Sequence, residues 1–81
     1  MPQVEDEIRR ILAANAKLTI ADSDLTDDTD LFNVGMTSYA TVAVMTSIEE
    51  YFDVMFPDDQ IRRSTFQTIS AMATALRSLQ P

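Results

Sequence analysis

Ser38 follows Gly35-Met36-Thr37 and opens the run Tyr39-Ala40-Thr41-Val42-Ala43-Val44-Met45, which has the periodicity of an amphipathic helix. A hydroxyl at the first turn of a helix can act as a nucleophile, as a capping acceptor or as the anchor of a phosphate ester. Nucleophilic use requires a base to take the proton. The chain has no His and no Cys, and its single lysine, Lys17, lies outside the motif. The polypeptide alone therefore reads as non-catalytic at Ser38. Capping is the ordinary use of Ser or Thr at this position. An ester is the more specific use, because the unsatisfied amides and the positive end of the helix dipole stabilise an anion there.

The second group with chemical potential is acidic. Asp22, Asp24, Asp27, Asp28 and Asp30 lie in Ala21-Asp22-Ser23-Asp24-Leu25-Thr26-Asp27-Asp28-Thr29-Asp30, with no basic residue among them. Asp22 and Asp24 fit the first two ligand positions of an EF-hand calcium loop. The glycine that loop requires is Asp27, however, and its closing glutamate is Asn33. The pattern implies no metal site. It predicts a solvated loop whose Asp, Ser and Thr side chains bond local amides, held down by Leu25, Leu31 and Phe32.

Composition bounds the rest. The 81 residues predict a single domain over 1–81, and 46% hydrophobic content is enough for a small core. One Gly and three Pro leave little turn material for a hairpin-rich β fold. The lack of Cys and His excludes thiol chemistry and the usual zinc sites from the polypeptide. No stretch reads as a membrane span, and Met1-Pro2-Gln3-Val4-Glu5-Asp6-Glu7 is too acidic for a signal peptide, so the expectation is a soluble cytoplasmic protein. A net charge of −7 disfavours nucleic acid and favours partners with basic surfaces.

The elements that must position Ser38 follow from apolar spacing. Val4, Ile8, Ile11 and Leu12 predict a first helix from about Gln3 to Asn15. In the second helix Thr41, Val44, Met45, Ile48 and Phe52 form the expected core stripe, with Tyr39, Val42 and Thr46 as a neighbouring stripe that one core contact does not need. Glu49, Glu50 and Asp53 put negative charge at the C-terminal end, where the dipole disfavours it, so a role toward a partner is the expectation. Pro57 bars Phe56 from the helix, and Asp58 to Arg63 predicts a short helical turn in which Arg62 and Arg63 offset Asp58 and Asp59. Thr68 is the expected N-cap of a last helix carrying Ile69, Met72, Ala73, Leu76 and Leu79. Five Met residues are expected to fill gaps in the core. The sum is an all-α antiparallel bundle of three main helices plus one short helix, with a long loop between the first two.

Several of these motifs, in this order, resemble the acyl carrier proteins: Asp30-Leu31-Phe32-x-x-Gly35-x-x-Ser38, Val42, Ile48-Glu49-Glu50-x-Phe52-Asp53 and Phe56-Pro57-Asp58. Phe66-Gln67-Thr68-Ile69 is similar to the start of that family's last helix. The resemblance covers about Asp27 to Leu79, and Val4 to Leu12 fits the family's first helix. It implies 4′-phosphopantetheine on Ser38, moved there from coenzyme A by a phosphopantetheinyl transferase. The arm's terminal thiol would then hold cargo as a thioester. It further implies an aminoacyl or acyl ligase as loading partner, a downstream acceptor enzyme, and a docking face on the second helix at Thr37, Tyr39, Val42, Thr46, Glu49 and Glu50.

Departures from the family pattern narrow the expected cargo. The family most often has Asp before the serine and Leu after it, where Thr37 and Tyr39 stand here. Carriers of fatty-acid synthases tend to place acids early on the second helix, where Ala40 and Ala43 stand. The local pattern is most like the small, free-standing carriers loaded with amino acids by homologues of class II seryl-tRNA synthetase. An aminoacyl cargo is the expectation, with a fatty-acid or polyketide acyl carrier protein as the alternative and a monomer as the default state. The competing reading from another class is an acidic helical adaptor without a prosthetic group, in which Ser38 is a plain N-cap.

Overall fold

The apolar stripe of the N-terminal segment dictates the first element, α1 (Val4–Asn15), which buries Ile8, Ile11 and Leu12. Glu5, Asp6 and Glu7 fill its first turn, where the helix dipole favours acids. The computed structural model describes residues 3–80 and contains three further helices, α2 (Ser38–Phe52), α3 (Arg63–Phe66) and α4 (Ile69–Leu79). α1 packs against both α2 and α4, and α3 packs against α4. No strand occurs among the described residues, so the bundle of three long helices and one short one is the fold. None of these helices is long and apolar enough to cross a membrane.

The start of α4 follows the expected chemistry, and the end of α2 is closed by a residue not expected to do so. The Thr68 hydroxyl accepts the Ala71 amide at 2.9 Å and caps α4. Asp53 takes the left-handed conformation (φ 54°, ψ 52°) that ends α2, and the Val54 amide returns to the Glu49 carbonyl at 3.1 Å. Beyond it Val54, Met55 and Phe56 run without helix, so alternate residues turn inward. Phe56 is buried edge-to-face against Phe66, with ring centroids 5.4 Å apart. Met55 is consequently 80% exposed, which corrects the expectation that every methionine fills the core; Met36 and Met72 are buried and Met45 half-buried. Met1 lies outside the described residues.

A second correction concerns the segment after Pro57. The single short turn expected over Asp58 to Arg63 is split into a 3₁₀ turn at Asp58–Gln60 and the helix α3 starting at Arg63. Ile61 (φ −86°, ψ 80°) and Arg62 (φ −149°, ψ 160°) leave helical geometry between them. This break turns Ile61, Arg62 and Arg63 toward α2.

The connection from Ala16 to Thr37 is held at several points. Leu31 is fully buried and Leu25 nearly so, while Phe32 packs half-buried at the edge of the core. Burial of a leucine side chain such as Leu31 contributes about 2 kcal/mol. Arg9 of α1 pairs with Asp27 at 3.0 Å, and the Asp27 carbonyl accepts the Ser70 amide of α4 at 2.9 Å. The Leu31 amide donates to the Gln67 carbonyl at 2.8 Å, and the Gln67 side-chain amide donates to Asp30 Oδ2 at 3.0 Å. Asp30 Oδ1 accepts the amides of Phe32 (3.1 Å) and Asn33 (3.3 Å). The loop side chains do bond local amides, and they also lock the loop to the α3–α4 junction.

These bonds to the ionised form lower the Asp30 pKa, with the Gln67 amide as the largest cause and the Arg63 charge as a smaller one. A lowered folded-state pKa stabilises the fold above the unfolded aspartate value of about 3.9, and that stability is lost as pH falls through the folded value. Asp30→Asn is therefore expected to lower Tm near neutral pH, with the gap from wild type closing on acidification below pH ~4. Circular-dichroism melts across a pH series measure this, and a gap independent of pH would contradict it.

Candidate functional site

The approach to Ser38 is set by Gly35. It ends a 3₁₀ turn (Phe32–Val34) at φ 106°, in the left-handed region. A Cβ there would stand 3.1 Å from the Thr19 methyl and 3.3 Å from the Lys17 carbonyl, so glycine alone fits without strain. The neighbouring backbone is fixed from both sides. The Val34 carbonyl accepts the Thr19 amide at 2.8 Å and its hydroxyl at 3.1 Å, while the Met36 amide donates to the Leu31 carbonyl at 3.0 Å.

Thr37 leaves this turn extended (φ −86°, ψ 166°), and its Oγ1 accepts the Ala40 amide at 3.0 Å. Thr37 is thus the N-cap of α2, and Ser38 is its first helical residue. This corrects the reading of Ser38 as a plain cap: the extended backbone that aims a side-chain oxygen at the third helical amide belongs to Thr37. Ser38 is exposed, and its hydroxyl is bonded to no other group among the described residues. The amides of Ser38 and Tyr39 likewise have no acceptor among the described residues. A free hydroxyl beside open first-turn amides fits a phosphodiester-linked group.

Of the residues expected on the docking face, Tyr39 is 87% and Val42 58% exposed, and Thr46 and Glu50 are exposed as well. Their spacing of three and four residues puts them on one side of α2. Thr37 is exposed, but its hydroxyl is committed to the cap. Glu49 is half-buried, and its carboxylate accepts the Phe56 amide at 2.9 Å, an internal role that the sequence did not reveal. The expected core stripe also rotates. Ala40, Val44 and Ile48 are buried, whereas Thr41, Met45 and Phe52 are half-buried at its edge. Ala40 is therefore a core contact and not part of a recognition surface; Ala43 is half-buried.

Ser38 also lies on the wall of a groove of about 250 Å³ between α2 and the Ile61–Phe66 segment. Phe32, Val42, Met45, Ile61 and Phe66 give this groove an apolar lining, and Arg62 and Arg63 add two exposed cations to it. The Arg63 guanidinium sits 4.1 Å from the centroid of the Phe32 ring. Neither arginine forms an ion pair with Asp58 or Asp59, contrary to expectation. Adjacency in sequence suggested charge compensation, but the break at Ile61 and Arg62 carries the arginines to the serine side. The signal in the sequence was weak: two adjacent cations in a chain whose acids outnumber its bases 13 to 6.

Comparison with known proteins bears on this arrangement. A family model described as the phosphopantetheine attachment site matches residues 6–76. The aminoacyl carrier protein of Agrobacterium fabrum is 37% identical over 70 residues, which span 86% of this chain and 84% of that protein. The crystal structure of an engineered Bradyrhizobium japonicum glycine:[carrier protein] ligase complexed with carrier protein from Agrobacterium tumefaciens and ATP holds a chain that superposes with a TM-score of 0.89 at 34% identity, over 95% of this chain and 100% of that one. A solution structure of an Agrobacterium tumefaciens protein superposes with a TM-score of 0.72 at 35% identity, over 91% of this chain and 89% of that one.

The division between cap and free hydroxyl is directly measurable. Thr37→Ala should lose about 1 kcal/mol of stability, whereas Ser38→Ala should stay within about 0.5 kcal/mol of wild type. Urea denaturation of both variants checks this, and an equal or larger loss at Ser38 would return the cap to that residue.

Proposed function

Because the chain belongs to the carrier-protein family defined by a phosphopantetheine attachment site, we propose that it is a discrete aminoacyl carrier protein modified at Ser38. A phosphopantetheinyl transferase attaches the arm, a ligase loads it, and a downstream enzyme accepts the cargo. The observation that carries this reading is the state of Ser38: exposed, at the start of α2, with Thr37 doing the capping that would otherwise occupy it. The attached group supplies a terminal thiol for thioester formation, which a chain with no cysteine cannot. The chain's own residues contribute no acid–base chemistry in this reading. Gly35 and Thr37 present the hydroxyl, the open first-turn amides favour an anionic linkage, and the α2 face offers Tyr39, Val42, Thr46 and Glu50 to partners.

An aminoacyl cargo is preferred over a fatty or polyketide one on two grounds. The curated relative at 37% identity is an aminoacyl carrier protein, and a solved relative is held in complex with a glycine:[carrier protein] ligase. The exposed face agrees with the preference. It is led by Tyr39 and Val42, and acid appears only from Glu50 to Asp53 at the far end, so a loading enzyme must meet an apolar and aromatic surface near the serine.

Incubation with coenzyme A and a broad-specificity phosphopantetheinyl transferase is expected to add one phosphopantetheinyl group to the intact mass, and Ser38→Ala to add none. The arm-bearing form, with its thiol free, should accept an amino acid from an aminoacylating ligase and not an acyl chain from an acyl-acyl carrier protein synthetase. Unchanged wild-type mass refutes the carrier function, and loading by the synthetase alone refutes the cargo.

Tyr39→Ala tests the docking face. With its side chain almost wholly in solvent, the variant should keep its stability within about 0.5 kcal/mol and lose about tenfold or more in ligase kcat/KM, the scale of a contact of ~1.4 kcal/mol. A large drop in Tm with unchanged loading kinetics would assign Tyr39 to the fold.

A further inference from the structure

Three of the six basic residues are committed to the fold. Arg9 pairs with Asp27 at 3.0 Å, Arg77 with Glu5 at 2.8 Å, and Arg10 with Glu7 within α1. Arg62 and Arg63 have no ion-pair partner among the described residues, although Asp58 and Asp59 are only a few positions away. Both line the groove that contains Ser38. Arg63 is steadied there by the Phe32 ring, and its charge reaches Asp30 without a direct ion pair. In a chain of net charge −7, two adjacent arginines without ion pairs among the described residues, beside an apolar groove, form an anion-holding arrangement. The guanidinium fork matches the geometry of phosphate oxygens.

We propose that Arg62 and Arg63 hold the phosphodiester of the arm on Ser38 and so lay the arm into the groove, against Val42, Met45 and Ile61. The inference rests on the carrier function proposed above. Three features select this occupant. Ser38 is itself on the wall, so whatever it carries is tethered at the groove. The lining is apolar apart from its cations and hydroxyls, which suits a chain with methylene and geminal methyl groups and one anionic end. The volume of about 250 Å³ falls just below the ~300–1,000 Å³ of pockets for drug-sized ligands. It suits the arm with a small cargo better than the arm with a long acyl chain. Arg62 and Arg63 are positioning residues in this scheme, and no bond is made or broken at them.

The test uses the arm-bearing protein, verified by intact mass, and reads the arm by phosphorus NMR and by isotope-filtered NOEs. In wild type, the geminal methyl groups of the arm should show NOEs to Val42 and Ile61. The phosphorus resonance should be displaced from its position in the same protein unfolded in urea. Arg62→Gln combined with Arg63→Gln should abolish the NOEs and the displacement, while the double lysine variant, which keeps the charge, should retain part of the displacement. A wild-type protein that never gains mass overturns the carrier function and this inference together. Mass gained at Ser38 without groove NOEs, or NOEs and displacement unchanged in the glutamine variant, overturns this inference alone. Should circular dichroism show the glutamine variant unfolded, the wild type decides. Its phosphorus displacement must collapse from low to high salt as exposed ion pairs are screened, and persistence in high salt overturns the role of the arginines.

Discussion

A long connection between two helices keeps its shape only if its backbone finds partners, and here Gln67 supplies the decisive pair. Its carbonyl accepts the Leu31 amide, and its side-chain amide reaches the Asp30 carboxylate. Asp30 uses its other oxygen on the Phe32 and Asn33 amides, so one carboxylate joins the loop to the α3–α4 junction and shapes the turn leading to Ser38. Leu31, whose amide makes one of these bonds, is itself fully buried. Phe32 is thereby set beside Arg63, and Gly35 is placed where its left-handed backbone can redirect the chain into α2. The position of the serine is a consequence of this knot more than of α2 itself.

The start of α2 separates two jobs that a single hydroxyl could have combined. Capping needs an oxygen fixed in one direction, while a tethering point needs an oxygen free in solvent. Thr37 does the first, and the Ser38 hydroxyl is left exposed to solvent. The same economy runs along the helix. Ala40, small enough for close packing, faces the core, and Tyr39 and Val42 on either side of it face out. At the other end, Glu49 turns a charge that the helix dipole disfavours into an acceptor for the Phe56 amide, which offsets the cost.

Charge is distributed with similar selectivity. The arginines of α1 and α4 meet carboxylates and tie α1 to the long loop, to its own first turn and to α4. These exposed pairs contribute little stability individually. Their larger effect is to leave Arg62 and Arg63, together with the more distant Lys17, as the basic residues without an ion pair among the described residues, and both arginines line the groove that contains Ser38.

The three long helices, the cap at Thr68 and the anchoring leucines were legible in the chain because they depend on local spacing and on short-range hydrogen bonds. The motif around Ser38 was legible for the same reason, since a glycine turn followed by a hydroxyl is a local arrangement. Residues brought together by packing were not. Whether Thr37 or Ser38 caps α2 depends on one backbone torsion set by the Gly35 turn against Thr19 and Lys17. The choice of Ala40 over Thr41 for the core depends on the rotation of α2 against α1, which periodicity defines only to within one residue. The transfer of Arg62 and Arg63 from neighbouring aspartates to the serine groove depends on a break at Ile61 and on where the loop places Phe32. Sequence alone determined that this chain is helical and that Ser38 stands at a helix start without a base of its own. Tertiary structure decided which side chains surround that serine, because their contacts join residues distant in the chain and follow from the loop's ties to Gln67.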